Sequence, residues 1–502
     1  MAVSEDNLRF ILGLKLKNLR QAAGLSLKQL AAASGMSISY LSEIEKGKKY
    51  PKPEKLLGLA GALDVSYDDL VSVRVDEQLD AVTKTLKSPF FTEFPFEVFG
   101  LQAQDLFSLF SEDPSRAGAL VRTLLEIGQI YDMRVEHFLF AALRSYQLMH
   151  DNYFVEIEDA AAGFRSQVGA EALRDEPVGA LTRTLEQVYG YTLDWEGLAA
   201  QPELRDLRSV LADESEPTLF VNSNLLPAQQ AFVLGRELGY HVMGLGERAK
   251  TSSWLHVKSF EQVLNNFRAS YFAGAVLIDR DEVTEALKLF LRKKRWSGPD
   301  FLRLMNDFSA TPEMFLYRLG QLLPALLGFE AMFFMRLNHD QRSGETRLSK
   351  VFNKTDVPLP AGFWQDEHYC ARWAGRRLVE GLAKGEQGTH VRAQRSRFHG
   401  SRDEFFVISI ARPLRLATAS YSSVSLGFKI DDTFRKAVAF AEDPALPIEV
   451  VNVTCERCPM GAADCADRLA EGSVHAAKTR LLRREAAIER LISATNAEGH
   501  AE

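Results

Sequence analysis

Three of the four cysteines in this sequence of 502 residues stand close together, at Cys455, Cys458 and Cys465. Two thiolates separated by two residues can bind one metal ion from a tight turn, and a third thiolate nearby supplies another corner of a tetrahedron. Four cysteines are too few for a disulfide scaffold, so the spacing favours metal or cluster chemistry in a reducing compartment. The alternative is that these are reduced cysteines with a structural role.

A second group of reactive side chains lies in the segment RELGYH, which begins at Arg236. Residues 218–221 read as a strand, and Pro227 stands where a helix would begin, so RELGYH is predicted to lie on a helix. This strand and helix resemble the ImmA/IrrE family of zinc peptidase-like domains, in which the motif here is H-E-x-x-H. Its two histidines bind zinc and its glutamate activates water.

The zinc ligands of that family are missing from this sequence. Arg236 and Tyr240 stand in place of the two histidines, and only Glu237 keeps its type. Arginine is permanently charged and cannot bind zinc. In NNFRASYFAGAVL, which resembles the family's second helix, Asn266 and Arg268 stand near the place of a glutamate ligand. We therefore expect no catalytic residues and no enzyme activity.

The helix surfaces that carry the zinc ligands in that family are expected here to line a cleft for an anionic ligand with an adenine or acyl part. The candidate ligand-binding residues are Arg236, Tyr240, His241, Arg268 and Tyr271. Two alternatives remain for His241: it shares one ion with Glu237, four residues before it, or it is a packed, hydrogen-bonded histidine.

Short helices separated by turn signals are predicted between Asn7 and Leu70. Ser26 and Ser37 are natural N-caps, and Gly35 breaks the chain between them. The third helix, SISYLSEIEKG, has an apolar stripe predicted to point inward at Ile38, Leu41 and Ile44. Two short helices joined by a glycine turn, the second with small polar residues outside, indicate a helix-turn-helix.

The segment LSLKQLAAASGMSISYLSEIEKGKKYPKPEKLLGLAGAL resembles the lambda-repressor-like (XRE) family. The resemblance implies that the third helix enters the DNA major groove and that a homodimer, or a higher homo-oligomer, binds double-stranded operator DNA. The expected DNA-binding residues are Lys28, Ser37, Ser39, Tyr40, Ser42, Lys46, Lys48 and Lys49. Residues 1–72 hold ten Lys or Arg and eight Asp or Glu, so this part is slightly positive.

The composition of the whole chain predicts a soluble globular protein of about three domains. It has 60 Lys plus Arg against 67 Asp plus Glu, a net charge of -7 that by itself argues against nucleic acid as a partner. Charges break every apolar run before the roughly 20 residues that a membrane helix needs. We expect a cytoplasmic protein that does not associate with a membrane.

The predicted fold is multidomain and mainly α, with an α+β C-terminal part. It comprises an all-α helix-turn-helix domain, a helical connector with a phenylalanine-rich stretch that forms core or a dimer interface, a zincin-like α+β domain lacking zinc ligands, an antiparallel-sheet α+β domain with the cysteine motif, and a C-terminal helix. These segments cover residues 1–73, 74–147, 148–328, 329–472 and 473–502. The basic stretch HVRAQRSRFHGSR is expected to be a surface loop, with contact to a phosphate-bearing ligand or DNA as the alternative. The segment FLRLMNDFSATPEMFLYRLGQL, residues 301–322, is expected to be a structural helix pair, with a second DNA-reading motif as the alternative.

The order of these segments resembles the short-chain fatty acyl-CoA regulators, a family of bacterial transcription factors, along nearly the full length. The resemblance implies control by a short-chain acyl-CoA in acetate, propionate or glyoxylate metabolism, and an iron–sulfur cluster, or zinc, at the cysteine motif, with Cys370 as a candidate fourth ligand. One alternative function is a redox- or metal-responsive repressor that senses through the cysteines. The other is a metalloprotease that cleaves a repressor.

Overall fold

The computed structural model describes residues 5–72, 96–99, 123, 135–212, 216–248, 251, 257, 259–359, 367–417 and 419–498. The chain divides into two compact units, Met1–Tyr146 with Val257–Val263, and Gln147–His256 with Leu264–Glu502. Most of the predicted connector, including most of its phenylalanine-rich stretch, lies outside the described residues. Within it, Phe96–Phe99 forms a short 3-10 helix and α6 spans Val135–Met149.

The N-terminal unit contains the predicted helix-turn-helix. Its helices are α1 (Glu5–Ala22), α2 (Leu27–Ser34), α3 (Ile38–Glu45), α4 (Pro53–Ala62) and α5 (Tyr67–Val71). The predicted caps are present, since the Ser26 hydroxyl accepts from the backbone N–H of Gln29 and the Ser37 hydroxyl accepts from that of Tyr40. Gly35 ends α2 at φ 69°, a left-handed conformation that glycine adopts without steric cost. The turn between the two helices is therefore encoded locally.

The apolar stripe of α3 is narrower than predicted. Leu41 and Ile44 are fully buried against Leu16 and Leu30, but Ile38 is 47% exposed. At 100° per residue Ile38 lies 120° around the helix from Ile44, so it falls at the edge of the stripe. The prediction that Ile38 points into the core is wrong.

The second unit begins with helices and a small sheet. Its elements are α7 (Val155–Val168), α8 (Ala170–Asp175), α9 (Pro177–Tyr189), β1 (Thr192–Asp194), α10 (Gly197–Ala200), β2 (Ser209–Leu211) and β3 (Thr218–Val221). The central strand β3 is parallel to β1 and antiparallel to β2. Helix α11 (Pro227–Val242) follows β3, as predicted, and carries the RELGYH segment into the interior.

Three more helices link this sheet to the next. They are α13 (Arg280–Leu291), α14 (Gly298–Asp307) and α15 (Pro312–Leu327), and they follow α12 (Phe260–Leu277). Phe301 and Phe315 are completely buried between α14 and α15. The predicted structural helix pair is therefore confirmed.

A six-stranded sheet dominates the C-terminal part. Its strands are β4 (Met332–Asp340), β5 (Thr346–Asn353), β6 (His390–Phe398), β7 (Glu404–Pro413), β8 (Ser420–Lys429) and β9 (Ile448–Val451), in the order β5-β4-β8-β7-β6-β9. All neighbouring pairs are antiparallel except β6 and β9. One face packs on α15 and the other on Trp373 and α16 (Ala374–Ala383). The predicted fold class is confirmed.

The basic stretch HVRAQRSRFHGSR is not a surface loop, because most of it forms strand β6. Glu404 on β7 pairs with both Arg395 and Arg397, and Arg392 lies 3.8 Å from Glu449 on β9. Carboxylates on the flanking strands neutralise these arginines, which lets a basic sequence occupy a sheet.

Helix α17 (Asp432–Ala437) precedes β9. The last described helix, α18 (Ser473–Glu498), has exposed apolar side chains. Leu481 and Ile488 are each 56% exposed, so they do not pack on the rest of the described chain. Among the described helices, none is long and apolar enough to cross a membrane.

Candidate functional site

Helix α3 is held in place by one two-armed ion pair. The Arg20 guanidinium on α1 donates to both carboxylate oxygens of Glu45 at the end of α3, over 2.6 and 3.0 Å, and also to the carbonyl of Leu25. Such a fork fixes both distance and orientation. The hydrogen bond to Glu45 raises the pKa of Arg20. The outer face of α3 is therefore presented at a defined angle.

The predicted DNA-binding residues lie on or near the exposed side of α3. Lys28, Ser37, Ser39, Lys46, Lys48 and Lys49 are exposed, and Tyr40 and Ser42 are half-buried. The Lys49 ammonium lies 2.9 Å from Glu43, and that of Lys55 lies 4.1 Å from the ring centroid of Tyr40. Sequence reasoning missed Lys55 and the exposed Ile38. Contact of each residue with DNA stays a prediction.

The RELGYH segment occupies the buried side of α11. Gly235 and Gly239 allow close packing on α12, since a Cβ at Gly239 would lie 3.1 Å from the Cα of Ala269. Arg236, Glu237 and Tyr240 are buried, and His241 is exposed. The two positions at which the resemblance places zinc-binding histidines, Arg236 and Tyr240, therefore lie in the interior.

Guanidinium groups occupy the surroundings of Glu237, where the family would hold a metal cation. Arg248, from the segment after α11, donates to one carboxylate oxygen, and Arg236 lies 3.4 Å from the other. Arg236 also donates to the Ser209 hydroxyl on β2, over 3.2 Å. The guanidinium of Arg248 lies 4.5 Å from the ring centroid of Tyr240, within cation–π distance. Sequence reasoning missed Arg248, because no motif marks it.

His241 is held by aromatic side chains. Its Nε2 atom lies 2.7 Å from the Tyr191 hydroxyl, and its ring stacks on Tyr189 at 4.6 Å between centroids. Burial lowers the pKa of His241 and so favours the neutral imidazole. This matches the hydrogen-bonded alternative for His241, since its partner is Tyr191 and that of Glu237 is Arg248.

Two buried polar atoms on α11 have no hydrogen-bond partner within the described part of the chain, the Tyr240 hydroxyl and the Arg236 Nε atom. Burial raises the pKa of Tyr240, with Arg236 opposing, so the phenol stays protonated. An unsatisfied buried donor costs about 1 to 3 kcal/mol. A bound molecule that accepts hydrogen bonds would relieve that cost.

Tyr271 belongs to a different set of contacts. Its hydroxyl donates to Glu158 over 2.6 Å, and Arg318 donates to both oxygens of the same carboxylate over 2.6 and 2.8 Å. All three side chains are almost completely buried. Arg268 lies half-buried on α12. The structure thus groups Arg236, Tyr240 and His241 on α11 and places Tyr271 elsewhere, while ligand contact by each stays a prediction.

The four cysteines are all buried and free. Cys370 joins the other segment through the backbone, since its N–H donates to the carbonyl of Val453, and the N–H of Cys455 donates to that of His368. Burial raises the pKa of the Cys370 thiol to about 11, and the nearby Cys455 and Cys458 add to this effect. Cys370 therefore lies beside the cysteine motif, although 85 residues separate it from Cys455.

Among the residues that the structure describes, no three His, Cys, Asp or Glu side chains are placed to hold one ion. An iron–sulfur cluster, or zinc, at the cysteine motif stays a prediction.

Comparison with known proteins supports two of these domains. Residues 16–70 match the helix-turn-helix family, and residues 198–320 match the IrrE N-terminal-like domain family. A transcriptional regulator from Mycobacterium tuberculosis is similar at 16% identity and a TM-score of 0.46, over 66% of this chain and 93% of that chain. No curated protein matches the sequence. The helix-turn-helix match and the placement of α3 support a DNA-binding transcriptional regulator.

Proposed function

We propose that this DNA-binding transcriptional regulator controls short-chain acyl-CoA metabolism, of the acetate, propionate or glyoxylate type, and that a short-chain acyl-CoA is its effector. The observation that supports an effector site is the chemistry of α11. There, buried guanidinium groups surround Glu237, and Tyr240 and Arg236 have unsatisfied donor atoms. A phosphate-bearing thioester supplies the acceptors that such a wall requires.

The same contacts argue against peptidase activity. Glu237 is the residue that would activate water, but its carboxylate is already paired with Arg248 and lies close to Arg236. A water-activating glutamate must be able to take a proton from water beside a metal ion. We propose that the protein is not an enzyme, and that zinc-loaded protein cleaves no peptide.

The proposed mechanism is a shift between two populated arrangements of a homodimer. Helix-turn-helix dimers bind half-sites about one helical turn of DNA apart, so operator affinity depends on the spacing of the two heads. An effector that binds one arrangement more tightly favours that spacing or opposes it.

The test is a thermal-shift panel of the full-length protein with acetyl-, propionyl- and butyryl-CoA, with palmitoyl-CoA as the control for chain length. A ligand present at about 100 times its Kd adds about 2.7 kcal/mol of stability. We expect a raised Tm with at least one short thioester, and a changed affinity for an operator selected from random DNA. Absence of stabilisation by every C2 to C4 thioester would refute the proposal.

A second candidate function is sensing of redox state or metal through the cysteines. The observation that favours it is the proximity of the buried Cys370 thiol to Cys455 and Cys458. Anaerobic purification, an absorbance spectrum and metal analysis test it. A colourless, metal-free protein whose operator binding still responds to an acyl-CoA would exclude it.

A further inference from the structure

At one end of the six-stranded sheet, the face that packs on α15 changes from apolar to basic. Along β4 the residues on this face are Met332, Phe334, Arg336 and Asn338, and along β7 Ile408 and Ile410 precede Arg412. Alternate residues of a strand share a face, so Arg336 and Arg412 lie on the same face as the apolar core residues that precede them. Ser422 of β8 is paired with Arg412 in the register and accepts a hydrogen bond from Arg336 over 3.0 Å.

Four cations surround one carboxylate at this place. We call them, with that carboxylate, the Glu313 cluster; its members are Glu313, Arg208, Arg336, Lys350 and Arg412. Glu313 in the first turn of α15 lies 2.6 Å from Arg336 and 3.8 Å from Lys350. Burial opposes ionisation of Glu313, but the four cations together lower its pKa to about 2. Even without Arg208, the three cations Arg336, Lys350 and Arg412 share this one carboxylate, so they exceed it by two positive charges.

The excess charge opposes folding. Burial lowers the pKa of Arg412, and repulsion from Arg336 and Arg208 acts in the same direction, while Glu313 counteracts it. The same pattern holds for Arg208, which arrives from the segment before β2. Like charges gathered in a partly desolvated place repel more strongly than in water. A bound anion would stabilise this arrangement.

The limited exposure of Arg336 suits a small ligand. The Arg336 side chain is only 15% exposed, and the Lys350 ammonium lies 3.6 Å from the ring centroid of Tyr317. The rigid backbone of a DNA duplex cannot reach a guanidinium that is buried to this degree. A diphosphate can, because its oxygens project from a small group.

We propose that the Glu313 cluster binds the diphosphate of a nucleotide-type ligand. The proposal deepens the proposed function and rests on it for the identity of that ligand, because coenzyme A carries such a diphosphate. Arg236 of α11 donates to the hydroxyl of Ser209, the residue after Arg208, over 3.2 Å, so the cluster lies near the unsatisfied donors of Arg236 and Tyr240. One elongated molecule can therefore place its phosphates at the cations of the Glu313 cluster and its remainder towards α11.

The experiment is calorimetric titration of the full-length protein at about 150 mM salt, where the Debye length is about 8 Å. The titrants are inorganic pyrophosphate, coenzyme A and the acyl-CoA found by thermal shift. Because a hydrogen bond to a charged group contributes about 1.5 to 3 kcal/mol, Arg412→Gln and Lys350→Gln should each weaken pyrophosphate binding about tenfold or more. The matched control is Arg347→Gln, an exposed arginine on the same strand as Lys350. It should change affinity less than twofold.

A variant of opposite sign guards against unfolding as an explanation. Glu313→Gln removes the counter-ion, so its Tm should fall and pyrophosphate should restore it by a larger shift than in the wild type. The proposal would be overturned if Arg412→Gln bound pyrophosphate as tightly as the wild type does. It would also be overturned if this variant lost affinity for the operator in the absence of effector, because the cluster would then bind DNA.

The outcomes also separate this proposal from the proposed function. Stabilisation by an acyl-CoA that Arg412→Gln and Lys350→Gln leave unchanged would retain the function and remove the phosphate site. Binding of pyrophosphate that these variants weaken, with no response to any acyl-CoA, would retain the site and remove the function.

Discussion

At the scale of single residues, guanidinium groups neutralise buried carboxylates in the second unit. Arg248 pairs with Glu237, where a zinc peptidase would hold its metal, and Arg318 pairs with Glu158 in the interior. Arginine keeps its charge when buried and donates in a fixed fork, so it can replace an ion or join distant helices.

The buried pair of Glu158 and Arg318 gives the first prediction. Glu158→Gln removes the charge that faces Arg318 and replaces one of the two oxygens that accept from Arg318 and Tyr271 by an NH2 donor. Breaking a buried pair by removing one partner costs about 3 to 5 kcal/mol. Urea unfolding, followed by tryptophan fluorescence, should show this loss.

The control for that experiment is Glu176→Gln. Glu176 pairs with Arg183 at the surface, where an ion pair contributes about 0 to 1 kcal/mol. Equal losses in the two variants would show that the Glu158 pair contributes no more than a surface pair.

At the scale of elements, the recognition helix depends on a close approach between α1 and α3. A Cβ placed on Gly13 would lie 2.5 Å from the carbonyl oxygen of Ile44, a distance that forces a shift of one helix. The pair of Arg20 and Glu45 fixes the same two helices. The position of α3 is therefore set from α1.

Gly13→Ala should consequently destabilise the helix-turn-helix and weaken operator binding. The sign is informative, because glycine to alanine within a helix otherwise stabilises by about 1 kcal/mol. Gly58→Ala on α4 is the control, since its Cβ would meet only ordinary contact at 3.7 Å from the Ser34 carbonyl. Thermal unfolding and fluorescence anisotropy with labelled operator measure both variants. A stabilised Gly13→Ala protein would contradict the packing.

At the scale of the whole molecule, we predict that α18 contacts a second copy of the chain. Val474, Leu481 and Ile488 recur every seven residues, so they lie close to one line along the helix, and all three are exposed. In an antiparallel pair that sets Leu481 opposite Ile488, Arg484 faces Glu485 of the other copy, so the charges also match. This pairing agrees with the homodimer proposed for operator binding.

Replacing Leu481 and Ile488 together by lysine should shift the protein from dimer towards monomer in light scattering. Operator affinity should also fall, because the two DNA-binding domains are then no longer linked and each must bind its half-site alone. The control, Leu289→Lys, changes a leucine on α13 that is somewhat more exposed than Leu481 and Ile488. A double variant that stays dimeric at low micromolar concentration would exclude α18 as the dimer contact.

The sequence by itself determined the elements whose signals are local. Ser26, Gly35 and Ser37 specify the helix-turn-helix because caps and left-handed turns act over three or four residues. The absence of zinc ligands was also readable, since Arg236 and Tyr240 replace them within one helix.

Only the tertiary structure decided which charges meet. Glu158 and Arg318 are 160 residues apart, and the Glu313 cluster draws on five separate segments. No periodicity encodes such pairs, because they depend on where chain segments cross. The same reason explains why β6 was predicted to be a loop: the carboxylates that neutralise its arginines, Glu404 and Glu449, lie on the neighbouring strands. Burial of Arg236 and exposure of Ile38 likewise follow from packing between elements, which the sequence of one element does not contain.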